Sequence, residues 1–359
     1  MTRSSSNGRS AVEAWSGLLR EPRNGGAVRS KVLGMPHRMR ALPFAGFLVG
    51  LMVFGCKRRP AEPTVEVRAD RATTAEAPRR VAPPAYEIAV VGDIGSQDAH
   101  EAAVAKLVSG WNPAVVVTTG DNIYPHGGGD YDRAVGAYYA EFIGHYRGAF
   151  GAGAPTNRFW PSPGNHDWAG NADLEGYRAY FTLPELPAAE RYYDVALDPD
   201  GLTHLYVLDS DPHEPDGIDP DSKQASWLKS ALAAAAPRAC FNIVAFHHPP
   251  YTTLTGHAPT VALRWPFKSW GVDLVLTGHN HHYERLVVDG LPYVIAGHGG
   301  AHLYERRGPI DPASASFDDA HHGAVRVGVA RGKLLGEAFT LDRPSPVDTF
   351  SIEKTCAPR

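Results

Sequence analysis

At 359 residues the chain has room for one large domain or two small ones, and its formal net charge is −4. The first 55 residues are net +6, so the remainder is net −10. A body this acidic argues against nucleic acid as a partner, yet it leaves room for a small phosphorylated substrate, because bound cations can supply positive charge locally. Three cysteines, Cys56, Cys240 and Cys356, show no Cys-x-x-Cys spacing, which excludes a zinc ribbon and a thioredoxin-like motif. In an oxidising compartment Cys240 and Cys356 would pair; the sequence is equally compatible with two free thiols, since it does not give their separation.

Residues 1–34 show no periodicity. Then come the basic His37-Arg38-Met39-Arg40 and fifteen uncharged, mostly apolar residues, Ala41 to Gly55, closed by Cys56. A basic start and an apolar run too short for a bilayer read as a signal peptide. Val53-Phe54-Gly55-Cys56 resembles a bacterial lipobox. That resemblance implies a lipidated Cys56 as the mature N-terminus of an exported envelope lipoprotein, with Lys57 in place of Asp pointing to the outer membrane. The segment Lys57–Ala85 holds Pro60, Pro63, Pro78, Pro83 and Pro84 and is expected to be an extended tether. Residues 1–56, 57–85 and 86–354 are thus expected as leader, tether and folded domain.

The domain opens with an apolar strand, Ile88–Val91, a helix, Ala99–Val108, and a second strand, Ala114–Thr119. This is a βαβ unit, so the sheet begins parallel. Tyr131 to Tyr146 reads as helical. Tyr192–Ala196 and Leu202–Leu208 alternate like paired strands, and Ser222–Ala235 is an Ala/Leu-rich helix. Further strands are expected at Phe241–Phe246, Val272–Leu276, Pro292–Ala296, Val325–Ala330, Leu334–Leu341 and Thr349–Ile352.

Chemistry collects where these strands end. Asp93, Asp121 with Tyr124, His247, and His279 with His281 follow four of them, and Asn165 with His166 follows Phe159-Trp160-Pro161, a fifth strand end. In open α/β sheets the carboxyl ends of strands are where ligands bind. Singly, each piece fits an ordinary polar turn. Jointly they bring two carboxylates, a phenol, a carboxamide and three imidazoles to one place. With Asp121 shared, each of two metals would have four protein ligands and still keep positions open for water and substrate. Hard oxygen donors with imidazole suit iron, manganese or zinc rather than copper(I).

In order, Gly92-Asp93-Ile94-Gly95, Gly120-Asp121-Asn122-Ile123-Tyr124, Gly164-Asn165-His166-Asp167, Val244-Ala245-Phe246-His247 and Gly278-His279-Asn280-His281 resemble the five blocks of calcineurin-like metallophosphoesterases. Within that superfamily they are similar to purple acid phosphatases of the small, single-domain, tartrate-resistant type. The resemblance implies an α/β fold, with two mixed sheets packed as a sandwich, flanking helices and a βαβαβ metal-binding core. It implies Asp93, Tyr124 and His281 around a ferric ion, and Asn165, His247 and His279 around a divalent iron, zinc or manganese, with Asp121 bridging. His166 would stand at the leaving group and His257 would bind phosphate, with Asn165 also touching substrate. His248 and His282 are extra imidazoles, which would either orient a metal ligand from behind or stand at the rim, the rim being favoured.

The activity so implied is hydrolysis of phosphate monoesters with an acid optimum, by a monomer whose one membrane contact is the lipid on Cys56. Two alternatives stand. A divalent-metal phosphodiesterase or nucleotidase of the same superfamily usually has His two residues after the first Asp, where this chain has Gly95. A lipid-anchored binding protein with a degenerate site would lack ligands, and none is missing.

Overall fold

The computed structural model describes residues 86–184, 191–236 and 238–357, so the leader, Cys56 and the tether lie outside the described residues. Thirteen strands are described: β1 Tyr86–Val91, β2 Val115–Thr118, β3 Phe159–Pro161, β4 Tyr193–Ala196, β5 Thr203–Val207, β6 Phe241–Ala245, β7 Leu274–Thr277, β8 Tyr283–Val288, β9 Leu291–Ala296, β10 Ser314–Asp318, β11 Gly323–Ala330, β12 Lys333–Thr340 and β13 Asp348–Glu353. They form two mixed sheets. The first runs β13-β12-β11-β1-β2-β3 and the second β10-β8-β9-β7-β6-β5-β4. In the first, β1, β2 and β3 are parallel; in the second, β5, β6, β7 and β9 are parallel.

Strand alternation decides how these sheets stack. Leu205, Val207, Ile243 and Ala245 of the second sheet face the main core, which they share with Ile88, Val90, Val116 and Val325 of the first. Their neighbours Tyr206, Val244 and Phe246 point the other way, into a second cluster with Leu228 and Leu232. Those two leucines belong to helix Lys223–Ala235, capped by the Ser222 hydroxyl on the Ala225 N–H. Helix Ala99–Trp111 starts at Asp98, whose carboxylate accepts from the His100 and Glu101 N–H groups. It buries Glu101, Val104, Ala105 and Val108, one helical face.

Cys240 and Cys356 form a disulfide, with Cα atoms 5.0 Å apart. It ties the start of β6, in one sheet, to the segment after β13, in the other. Three expectations are corrected. The helix expected over Tyr131–Tyr146 is broken into short helical pieces between Asp132 and Phe142, with Gly136 inside and Gly144 beyond. Strands β8 and β10 were not anticipated. His282 is not at a rim: it is fully buried and its Nε2 lies 3.1 Å from the Glu284 carboxylate.

Candidate metal centre

Each candidate residue sits a few positions beyond a carboxyl strand end. β1 delivers Asp93, β2 delivers Asp121 and Tyr124, β3 leads to Asn165 and His166, β6 to His247, and β7 to His279 and His281. Tight turns make this possible. Asp93, Asp121 and His279 have φ of 57°, 51° and 67°, the left-handed region that side chains rarely adopt. Such conformations cost of order 1–3 kcal/mol each and persist where the surroundings impose them. Gly120 shows why: a Cβ there would overlap the His247 ring.

All seven candidate ligands converge. Tyr124 Oη lies 3.2 Å from Asp93 Oδ1, 3.0 Å from Asp121 Oδ2 and 3.1 Å from His281 Nε2. On the other side, Asn165 Oδ1 is 3.0 Å from both His247 Nε2 and His279 Nδ1. Asp121 Oδ2 is also 3.3 Å from His247 Nε2, so one carboxylate touches both groups. Asp93, Asp121 and His247 present ligand atoms within 4.8 Å of one another, as do His247, His248 and His279. The second set makes His248 a further possible donor rather than a rim residue.

Hydrogen bonds fix which ring nitrogen faces inward. His247 Nδ1 donates to the Thr119 carbonyl at 2.8 Å and His281 Nδ1 to the His302 carbonyl at 2.7 Å, leaving both Nε2 atoms toward the cluster. His166 Nδ1 donates to the Pro125 carbonyl at 2.7 Å, so its Nε2 is the atom left for substrate. The His166 N–H also donates to Asp121 Oδ1 at 2.8 Å.

Burial and neighbouring charges set the proton affinities within the cluster. Burial alone would raise the Asp121 carboxyl, but the His247 and His166 charges outweigh it and hold it well below the usual range. Burial alone would lower His247; Asp121 and then Asp93 push it up to about 10. Burial, then His247 and His248, push His279 down to about 2. The Tyr124 phenol is raised well above its ordinary value by burial and by the carboxylates of Asp121 and Asp93. His247 Nε2 faces the Asn165 and Asp121 oxygens, and His281 Nε2 an Asp93 oxygen, at 3.0–3.3 Å, and this set of hard oxygens and imidazoles fits hard or borderline cations.

His257, half-buried, stands edge-on to His279 with ring centroids 5.2 Å apart. It stacks on Tyr304, which in turn stacks on His281, with centroids at 4.5 and 4.1 Å. Tyr304 was missed from sequence. It lies in the loop after β9, which is parallel to β7, and extending the strand-end rule to β9 would have flagged that loop. Ser210, also missed, accepts from the His247 and His248 N–H groups through its hydroxyl, 3.2 and 2.9 Å away.

Residues 86–283 match the calcineurin-like phosphoesterase family. Human tartrate-resistant acid phosphatase type 5 is 26% identical over 251 residues, 61% of this chain and 74% of that protein. A cAMP/cGMP dual specificity phosphodiesterase of Mycobacterium tuberculosis is 29% identical over 248 residues, 67% and 71% of the two chains. Among solved structures, yellow lupin purple acid phosphatase PPD1 superposes with a TM-score of 0.59 at 18% identity, over 75% of this chain and 54% of that one. GAP50, the anchor in the inner membrane complex of Plasmodium, gives 0.58 at 17%, over 75% and 89%. The ordered motif blocks, the two mixed sheets and the matched span agree: the chain belongs to the calcineurin-like phosphoesterase family.

Proposed function

We propose that this protein hydrolyses phosphate monoesters at two metal ions, one ferric and one divalent (iron, zinc or manganese), and works best in acid. Asp93, Tyr124 and His281 would hold the first ion, Asn165, His247 and His279 the second, and Asp121 both. The bound ions would supply Lewis-acid polarisation of the phosphoryl oxygens and activation of water. The protein's own part is to hold the ester between His166 and His257 and to give a proton from His166 Nε2 to the departing oxygen. Asn165 and His257 would help to orient the phosphoryl group.

Tyr124 carries this reading. Its hydroxyl is within 3.2 Å of Asp93, Asp121 and His281. At position 95 a Cβ would overlap the Ile123 backbone, so no histidine fits where the divalent phosphodiesterases carry one. A phenol with two carboxylates beside it ionises only for a strongly charged cation, and ferric ion is the hard acceptor that matches it. The purified protein is therefore expected to be violet or pink, with a broad visible band, and to contain iron. Tyr124→Phe should remove the colour without unfolding the protein. A colourless wild type, fully active with two manganese or zinc ions and indifferent to Tyr124→Phe, would favour the phosphodiesterase reading that the mycobacterial relative represents.

The Cys240–Cys356 disulfide supports an oxidising compartment, in line with export. We propose envelope attachment through Cys56; a membrane fraction unchanged by Cys56→Ser would dismiss it.

A further inference from the structure

Two loops meet beside the imidazoles of the donor cluster. One follows β9 and is pinned at three points to residues of that cluster. The Ala301 N–H donates to the Asp93 carbonyl at 2.9 Å and the Tyr304 N–H to the His281 carbonyl at 3.0 Å, while the His302 carbonyl accepts from His281 Nδ1 at 2.7 Å. The Tyr304 ring lies flat on the His281 ring, with centroids 4.1 Å apart and planes 12° from parallel. Backbone and ring together fix Tyr304 relative to Asp93 and His281.

The other loop follows β6 and carries His257. Its base is well held: Thr252 Oγ1 accepts from Asn280 Nδ2 at 2.7 Å, and the Thr253 N–H donates to the buried Glu284 carboxylate at 2.9 Å. Its return is closed by the Thr260 N–H on the Pro249 carbonyl, also at 2.9 Å. The tip between them is held less. The Thr255 hydroxyl reaches the Arg307 carbonyl at 3.4 Å, a long bond, and among the described residues neither nitrogen of the His257 ring has a hydrogen-bond partner. Ring contacts are what orient His257. It stands edge-on to His279 at 5.2 Å and face to face with Tyr304 at 4.5 Å, 2° from parallel. His257 and Tyr304 both line a cavity of about 580 Å³, so a ligand can reach them.

We infer that Tyr304 is a positioning residue: sandwiched between two imidazoles, it holds His257 at a fixed place against the His279 side of the donor cluster. This deepens the monoesterase reading and rests on its assignment of phosphate contact to His257. The ring tied by its backbone to Asp93 and His281 sets the place of the ring that has no tie of its own. An imidazole already in place needs no loop ordering when phosphate arrives, and such ordering costs affinity. Without the Tyr304 ring, His257 would still reach phosphate, but only by giving up the freedom of its loop tip. The loss should therefore appear in binding more than in the chemical step.

A double-mutant cycle reads this coupling. Tyr304 belongs to neither apolar core, so its variants should fold. KM for phenyl phosphate and the inhibition constant of inorganic phosphate do not depend on the fraction of active enzyme, so partial unfolding does not distort them. Tyr304→Leu should raise both by about 3–10-fold, the scale of an aromatic pair, while kcat changes less. His257→Ala should raise both at least as much. In the Tyr304→Leu background it should add less than about 2-fold, because the histidine it removes is no longer held in place. Tyr304→Phe keeps the ring and should recover most of the affinity. Fully multiplicative losses in the double variant would overturn the inference, since His257 would then act independently of Tyr304. So would a Tyr304→Phe variant as weak as Tyr304→Leu, which would assign the role to the hydroxyl, or a fall in kcat at unchanged KM, which would leave Tyr304 serving His281 alone. A wild type inactive on phenyl phosphate would instead sink the monoesterase reading. Binding of inorganic phosphate by calorimetry would then run the same cycle: non-multiplicative losses would still uphold the placement of His257, and independent losses or no binding would end it.

Discussion

The two sheets bring opposite chemistry to the seam between them. Strands β1, β2 and β3 of the first sheet lead to every oxygen donor among the seven candidate ligands: Asp93, Asp121, Tyr124 and Asn165. Strands β6 and β7 of the second lead to every imidazole: His247, His279 and His281. Neither sheet holds a site by itself. Cross-sheet hydrogen bonds set the register, from His247 Nδ1 to the Thr119 carbonyl and from the His279 N–H to Asp93 Oδ2 at 3.0 Å. The disulfide closes the opposite end of the seam, because Cys240 immediately precedes β6 and His247 lies two residues beyond its other end. With the cysteines separated by 116 in sequence, a link of this kind stabilises by about 2–4 kcal/mol. Metal affinity and sheet docking would then be one equilibrium, since an ion bound at the seam would also stabilise the sandwich.

The sharpest way to break this division is at Asp121, the sheet-one residue whose carboxylate reaches both groups. Asp121→Ala should lose both ions and lower phosphatase activity by roughly 10³-fold or more, given what a catalytic metal contributes. Asn165→Ala should weaken mainly the imidazole-rich site. Metal stoichiometry per chain reads the difference, and one full equivalent of each ion retained by Asp121→Ala would dismiss the shared ligand.

A smaller effect is expected at His166, which sheet one supplies but which binds no metal in this scheme. His166→Ala should cost about 10²–10⁴-fold on alkyl esters, the usual range for a general acid, while metal content stays full. The loss should shrink for aryl esters, whose leaving oxygens need less help. Equal losses on both would make His166 a residue that positions substrate instead.

Much of this seam was legible because a buried strand advertises its own end. Val115–Val117 is a β-branched run that stops at Gly120-Asp121, and Phe241–Ala245 stops at His247, so ligand positions follow from where hydrophobicity ceases. What was not legible had no such contrast. Strand β8 buries Glu284 and half-buries Arg285, paired respectively with His282 and Asp348, so its pattern reads as polar. Strand β10, Ser314–Asp318, lies at the sheet edge and needs no apolar run. Tyr304 stood outside the recognised ligand positions, and only the fold shows what its ring touches.

Behind each side of the seam lies a fully buried glutamate, and the two should respond oppositely to pH. On the imidazole side, Glu284 accepts from the Thr253 N–H at 2.9 Å and from His282. Burial alone would raise it; these partners more than offset that and lower it. Its contribution is therefore present above its ordinary value of 4.5 and is lost as pH falls. On the oxygen side, Glu101 accepts from the Gln97 N–H at 2.6 Å through one oxygen, while the other has no partner among the described residues. Burial, aided by Asp98, pushes its carboxyl from 4.5 up to about 9. Between those values the unfolded chain is ionised at this residue and the folded chain keeps the proton. The folded state then binds more protons, so stability is full below about 4.5 and drains away as pH rises toward 9, by at most about 1.4 kcal/mol per pH unit. Glu101→Gln keeps the acceptor for Gln97 and cannot ionise. Denaturant titrations at pH 5 and pH 8 should show wild type losing more stability than Glu101→Gln, by about 1 kcal/mol or more. Equal losses would mean that Glu101 ionises in place, reached by water, and that only the imidazole side of the seam has a buried carboxylate whose charge state the fold controls.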